Sequence, residues 1–194
     1  METKHILVIQ GHPDSTEPHL CHALATSYTS GAEEAGHLVR KIEVATLDFA
    51  LLRSQKDFEE GAVPASLKLF QADLLWAEHI VVFFPLWAGD MPALLKGFFE
   101  QLLRPSFTGG SLSFFDKKIL SGRSARVVVT MGMPAVIYRW YFRAHSVKSL
   151  ERNLLGIVGI APVQETLIGM TKDMKDVDAK KWFKKLETLG QRAE

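Results

Sequence analysis

The chain holds a single cysteine, Cys21, among 194 residues. An intramolecular disulfide framework is therefore excluded, and the composition fits a reducing compartment, so a cytoplasmic location is expected. Charge of one sign is equally scarce: Lys and Arg total 23 against 22 Asp and Glu, a formal net charge of +1 without a long run of like charge. That balance gives no electrostatic ground for nucleic acid or an anionic membrane as partner. Lys180, Lys181, Lys184 and Lys185 cluster on an expected helix, where they read as a solvated face. Long apolar runs are missing too. The opening METKHILVIQGH is too short for a signal peptide, and LLGIVGIAPV at 154–163 falls short of the roughly 20 residues a membrane helix needs, so no membrane insertion is expected. Neither G-x-G-x-x-G nor G-x-x-x-x-G-K-S/T occurs, which removes the ordinary dinucleotide and nucleoside-triphosphate fingerprints.

What is present is enough apolar residue, 47%, to bury a full core, with no Pro/Ser-rich linker or composition shift, so residues 1–194 are expected to form one domain. HILVIQ at 5–10 is a continuous aliphatic run, the mark of a strand covered on both faces, whereas LVRKIEV at 38–44 alternates as an edge strand does. HIVVFFP at 79–85, ARVVVTM at 125–131 and VQETLIG at 163–169 complete five strands. Between them, helical spacing marks Leu20, Ala23, Leu24, Ser27 and Tyr28, then Leu67, Phe70 and Leu74, then Leu95, Phe98, Phe99 and Leu102 with Asp90 as a candidate cap. The stretch 137–155 and the closing 178–190 are expected to be helical, and 46–62 a long excursion. Strands interleaved with helices predict an α/β, doubly wound parallel sheet, because right-handed crossovers place helices on both faces.

In such sheets ligands bind beyond the carboxyl ends of the strands, where strand order reverses. That rule selects three turns: GHPDSTEPHLCH at 11–22, PLWAGDMP at 85–92 and MGMPAVIY at 131–138. The first suits an anion, with Gly11 allowing close backbone approach, His12 a donor, and a helix N-terminus following; Ser15 and Thr16 serve equally as phosphate ligands or capping residues. His12, His19 and His22 raise a metal reading, but no carboxylate or cysteine completes an obvious ligand set, and no metal is expected. The second turn sets Trp87 beside glycine between two prolines, an arrangement able to pack on a planar ring and donate amides to its polar edge; a core or interface aromatic is the alternative account.

GHPD at 11–14, FPLWAGDMPALLKGFFEQ at 84–101 and VVVTMG at 127–132 resemble the flavodoxin-like NAD(P)H:quinone oxidoreductases. The likeness spans nearly the whole chain. Its most specific part is the string Pro85, Leu86, Pro92, Ala93, Leu95, Lys96, Gly97 and Glu100. The resemblance implies a flavodoxin-like three-layer sandwich with strand order 2-1-3-4-5. It implies a bound flavin, FAD ahead of FMN, with NAD(P)H as cosubstrate, a quinone-like acceptor and a homodimer. His12, His19, Leu20 and Cys21 would hold the flavin phosphate; Pro85, Leu86, Trp87 and Ala88 would line the ring; Thr130, Met131 and Gly132 would touch its other edge. Tyr138 and His145 would be the catalytic pair near the flavin carbonyl side, with Tyr141 competing for the tyrosine role and a plain polar helix residue as the other account of His145. Phe98, Phe99, Trp140, Tyr141 and Phe142 are candidate dimer contacts, with core packing as the other account of each. A flavin-bound regulatory subunit of a membrane transporter is the alternative function, and a flavodoxin-type electron carrier a third. The chain departs from the family pattern at Ala88, where a bulky aromatic is common, and at Thr108, Gly109, Gly110 and Ser111, which implies a wider acceptor pocket. It departs again at Met133 and Pro134, and at His19, where a hydroxyl is usual and an imidazole adds pH dependence.

Overall fold

Residues that leave no face for water form the middle of the sheet. In the computed structural model, which describes residues 2–108 and 118–194, the side chains of Ser106 and Thr108 excepted, the chain runs β1 (His5–Gln10), α1 (Leu20–Glu34), β2 (Leu38–Glu43), α2 (Gln55–Glu60), α3 (Lys68–Trp76), β3 (His79–Pro85), α4 (Ala93–Leu102) and α5 (Pro105–Thr108). It continues through β4 (Ser124–Thr130), α6 (Ala135–Trp140), α7 (His145–Ser149), a π-helical turn (Leu150–Leu155), α8 (Gly156–Val158), β5 (Val163–Ile168) and α9 (Asp176–Arg192). Gly109, Gly110 and Ser111, singled out in the sequence, lie outside the described residues.

All five strands are parallel in the order β2-β1-β3-β4-β5, as expected; β2 at the edge does not alternate in exposure as its sequence predicts, since four of its six residues are exposed and only Ile42 is buried. Odd and even positions divide two cores. Leu7, Ile9, Ile80, Val82, Phe84, Val127 and Val129 pack under α3, α4 and the α6–α8 run. Ile6, Val8, Val81, Phe83 and Val128 pack under α1 and α9. On this second face the helices meet backbone to backbone, because a Cβ at Gly31 would lie 2.0 Å from the Glu187 carbonyl oxygen and one at Gly190 2.0 Å from that of Tyr28.

Three sequence expectations are corrected. Phe98 and Phe99, offered as dimer contacts, are fully buried within the first core, each worth about 1.5–3 kcal/mol of burial. The stretch 137–155 is not one helix: Arg143 and Ala144 take left-handed backbone (φ 54° and 48°) and break it before α7. The excursion at 46–62 contains α2, capped by the Ser54 hydroxyl, which accepts from the Asp57 amide at 3.1 Å. Among the described residues, no helix is long and apolar enough to cross a membrane.

Candidate functional site

Because the strands are parallel, the turns after Gln10, Pro85 and Thr130 all leave the same sheet edge, and strand order reverses between β1 and β3. The first turn is organised by Gln10, which sequence reading passed over as the last residue of a strand. Its buried carboxamide accepts from the His12 amide (3.0 Å) and the Cys21 thiol (3.3 Å) and donates to the Cys21 carbonyl (3.1 Å). The turn is thereby folded back onto the start of α1. The Cys21 side chain points inward, and burial pushes its thiol up to about 12, so this residue offers a ligand only its backbone. His19 is the N-cap residue of α1 but caps nothing with its side chain, and the Leu20 and Cys21 amides have no acceptor among the described residues. Two free amides at the positive end of a 15-residue helix form an anion seat.

Around that seat, the His12 and His19 rings stack at 3.9 Å, and His22 meets His12 edge-on at 5.1 Å. Burial, then the neighbouring His19, lowers the pKa of His12. Asp14 is the feature that sequence reading missed. It accepts from the Thr16 hydroxyl (2.7 Å), the Thr16 amide (2.8 Å) and His19 Nε2 (3.0 Å), and these bonds, the Thr16 hydroxyl first, hold its carboxyl well below the usual range. Thr16 is therefore committed to Asp14, while Ser15 is exposed. Among the described residues no group of three His, Cys, Asp or Glu side chains is arranged to hold a metal ion.

The second turn is a two-residue hairpin. Trp87 and Asp90 exchange backbone hydrogen bonds of 2.9 Å, and Ala88 and Gly89 between them both have positive φ, 48° and 86°, the pattern of a type I′ turn. An alanine held there is strained, a state that persists only where the surroundings impose it. Its neighbours do: the Leu86 amide donates to the Thr130 carbonyl at 2.8 Å, tying the turn to the end of β4, and Trp87 lies edge-on to His12 at 5.8 Å. The Trp87 amide is spent inside the hairpin, but those of Ala88 and Gly89 have no acceptor among the described residues. Asp90 does not cap α4. Pro92 holds that position, and the Asp90 carboxylate instead accepts from the Met91 amide (2.7 Å) and the buried Ser146 hydroxyl of α7.

The third turn leaves β4 through Thr130 and Met131, both buried, to an exposed Gly132 beside Lys172. Its far side is fixed to the end of β5, where the Met170 and Thr171 amides donate to the Met133 and Met131 carbonyls. Tyr138 is 0% exposed; its hydroxyl accepts from the Val147 amide at 3.4 Å, and burial raises its pKa. Tyr141, its competitor, is 80% exposed. His145 begins α7 with its Nδ1 3.1 Å from the Phe142 carbonyl, which can only accept, so Nδ1 carries the proton and Nε2 is left facing Gly89. Trp87, Ala88, Asp90, Met91, Lys96 and Ser149 line a crevice of about 380 Å³ beside the hairpin.

A parallel sheet with free helix-end amides and a strained, tryptophan-bearing hairpin at its reversal point defines an open doubly wound α/β protein with a ligand crevice. A model of the Flavodoxin_2 family, described as a flavodoxin-like fold, matches residues 4–190, and the chain belongs to that family. It is 29% identical over 154 residues to a ribosyldihydronicotinamide dehydrogenase-like protein of Penicillium crustosum, covering 66% of this chain and 57% of that one, so the match spans little more than half the fungal protein. It is 23% identical over 192 residues to an uncharacterized NAD(P)H oxidoreductase of Haemophilus influenzae, covering 97% and 93% of the two. Among solved structures, an NAD(P)H:quinone oxidoreductase from Methanothermobacter marburgensis superposes with a TM-score of 0.81 at 21% identity, covering 98% of this chain and 97% of that one. An FMN-dependent NADH-azoreductase from Bacillus anthracis in complex with FMN gives 0.71 at 17% identity, covering 98% and 99%.

Proposed function

We propose that the chain is a flavin-dependent oxidoreductase that passes a hydride from NAD(P)H to a quinone-like acceptor at one site. The observation that carries this reading is that two pairs of amides without acceptors among the described residues, Leu20 with Cys21 and Ala88 with Gly89, follow the two strands at the reversal point of the sheet, on turns that touch through His12 and Trp87. One pair suits a phosphate and the other the polar edge of a ring, so the residues present fit a flavin. Bound flavin would supply the two-electron hydride chemistry that no side chain here can. The FMN bound to the Bacillus anthracis neighbour supports the mononucleotide over FAD. Chromatography of the released cofactor distinguishes the two.

In this reading Leu20 and Cys21 hold the phosphate through their amides, with His12 and His19 beside it. Trp87, 50% exposed, packs on the ring, while Pro85, Leu86 and the turn backbone line it and Thr130, Met131 and Gly132 close the other edge. His145 turns its Nε2 toward the hairpin, where the imidazole stands beside the charge that hydride transfer develops. Tyr138 is a positioning residue, since it braces α7 from within the core. The balance is simple: NAD(P)H loses two electrons with one proton, and the quinone gains these with one further proton and leaves as the quinol. Trp140 and Tyr141, 76% and 80% exposed, are the surface a homodimer would cover. The relatives' names are those of oxidoreductases, which supports the enzyme over the transporter subunit.

Steady-state oxidation of NADPH by benzoquinone tests the proposal: turnover that depends on bound flavin is expected, and a flavin-loaded chain without turnover contradicts it. The Asp90–Ser146 contact adds a second expectation. Ser146→Ala removes a hydrogen bond to a carboxylate and should cost about 1 kcal/mol in urea unfolding, because Asp90 itself is exposed. By loosening the hairpin it should also weaken FMN binding several-fold. Unchanged FMN affinity in a destabilised Ser146→Ala would show that the contact does not position the turn.

A further inference from the structure

A second cavity, about 350 Å³, lies between α4, the 46–62 excursion and the π-helical turn, walled by Leu52, Phe58, Phe99, Leu103, Leu154 and Ile157. It shares Lys96 with the crevice beside Trp87, and Asn153 donates to the Ser149 hydroxyl across their boundary at 3.4 Å. We propose that this groove holds an apolar tail on the electron acceptor, so that the chain acts on tailed redox rings rather than bare ones; the inference rests on the oxidoreductase reading above.

The groove is built rather than accidental. Its outer wall, carrying Leu52 and Phe58, belongs to the excursion and is held off α4 by two polar side chains that are each 2% exposed. Gln101 donates to the Ala50 carbonyl at 2.5 Å, and Arg104 donates to the Asp57 carbonyl at 2.5 Å and to Gln101 at 2.9 Å. A buried guanidinium is costly unless its donors are satisfied, so this wall is fixed by a network that loses its partners if the excursion shifts. The opposite wall is the π-helical turn, a geometry that recurs at functional sites. Lys96 and Glu100 pair with each other at 2.5 Å on the shared rim, which leaves Asn153 as the other polar lining residue. Away from those three polar residues, a charged or hydroxylated extension would be desolvated against apolar walls, whereas a hydrocarbon would not. The volume falls in the range of small-molecule pockets, and the crevice beside Trp87 is left for the ring.

The test is a series of benzoquinones bearing methyl, butyl, hexyl and decyl tails, reduced by the flavin-loaded chain. kcat/KM relative to the bare ring should rise by up to about fourfold per added methylene and level off once the groove is full. Leu154→Lys should flatten the series. Decanol, a tail without a redox ring, supplies a readout independent of turnover: it should shift the methyl resonances of Leu154 and Ile157 in the full chain, with or without flavin. A flat series from an active enzyme with no decanol shift overturns the proposal. So does a flat series in which Leu154→Lys turns a dimer into a monomer, since the groove is then covered by a second copy. Absence of turnover with every acceptor defeats the oxidoreductase reading alone, and the decanol shift still decides the groove.

Discussion

Leu20→Pro should fold as the parent does and bind FMN roughly 10- to 100-fold more weakly, the loss of one hydrogen bond to a charged group, about 1.5–3 kcal/mol. Leu20 is the first helical residue of α1, where proline is well tolerated because its missing amide has no intrahelical partner. The residue before it must be extended to accept a proline, and His19 already is, with φ −116° and ψ 152°. The substitution thus removes one donor from the anion seat and little else. Part of the Leu20 side chain packs on the α1 and α9 core, so unfolding free energy should fall by no more than about 1 kcal/mol. Inorganic phosphate should lose affinity in parallel with FMN, because the amide faces the phosphate. An FMN dissociation constant unchanged in Leu20→Pro would remove the helix end from the site.

Acid should destabilise the chain through His79, far from the crevice. This residue opens β3, is buried, and keeps its Nδ1 2.7 Å from the Ser124 hydroxyl. Burial, then the positive charges of Lys4 and Arg126, lowers its pKa from 6.5 to about 4. Above pH 6.5 the ring is neutral in both folded and unfolded chains and the fold carries no penalty. Below that value the unfolded chain takes up a proton first, so stability declines with falling pH until the folded ring also protonates near pH 4. The total is on the order of 3 kcal/mol at roughly 1.4 kcal/mol per pH unit of displacement. Urea midpoints compared at neutral and acidic pH check this. In His79→Gln the midpoint should lose most of its dependence on pH across the window, and a variant as acid-sensitive as the parent would place the cause elsewhere, His12 being the next candidate since its pKa is lowered in the same direction.

The strands were legible because burial on both faces demands continuous apolar residues: HILVIQ and HIVVFFP have no polar interruption to misread, and the edge strand is set apart by its charged residues Arg40, Lys41 and Glu43. The position of the site followed from topology, since five parallel strands bring their following turns to one edge whatever the turns contain. What could not be read was the wiring inside those turns. Asp90 stands three residues before the first residue of α4, close enough to suggest a cap, but whether its carboxylate turns to the helix or to Ser146 depends on a residue 56 positions away. Arg143 and Ala144 are good helix formers, so only tertiary packing breaks the helix between Tyr138 and His145, and the two rings still lie beside each other with centroids 6.0 Å apart. Asp14 and Gln10 were missed because a carboxylate in a turn and an amide at a strand end are ordinary until their partners, His19 and Cys21, are brought beside them.

The central claim is that the turns at the reversal point of the sheet close on a flavin. Titration of the purified chain with FMN, followed through flavin and tryptophan fluorescence together, tests it most directly. Saturable one-to-one binding that quenches both signals, with the tryptophan change lost in Trp87→Phe, is the expected result. A chain that purifies colourless and leaves the fluorescence of added FMN and FAD untouched would contradict the account.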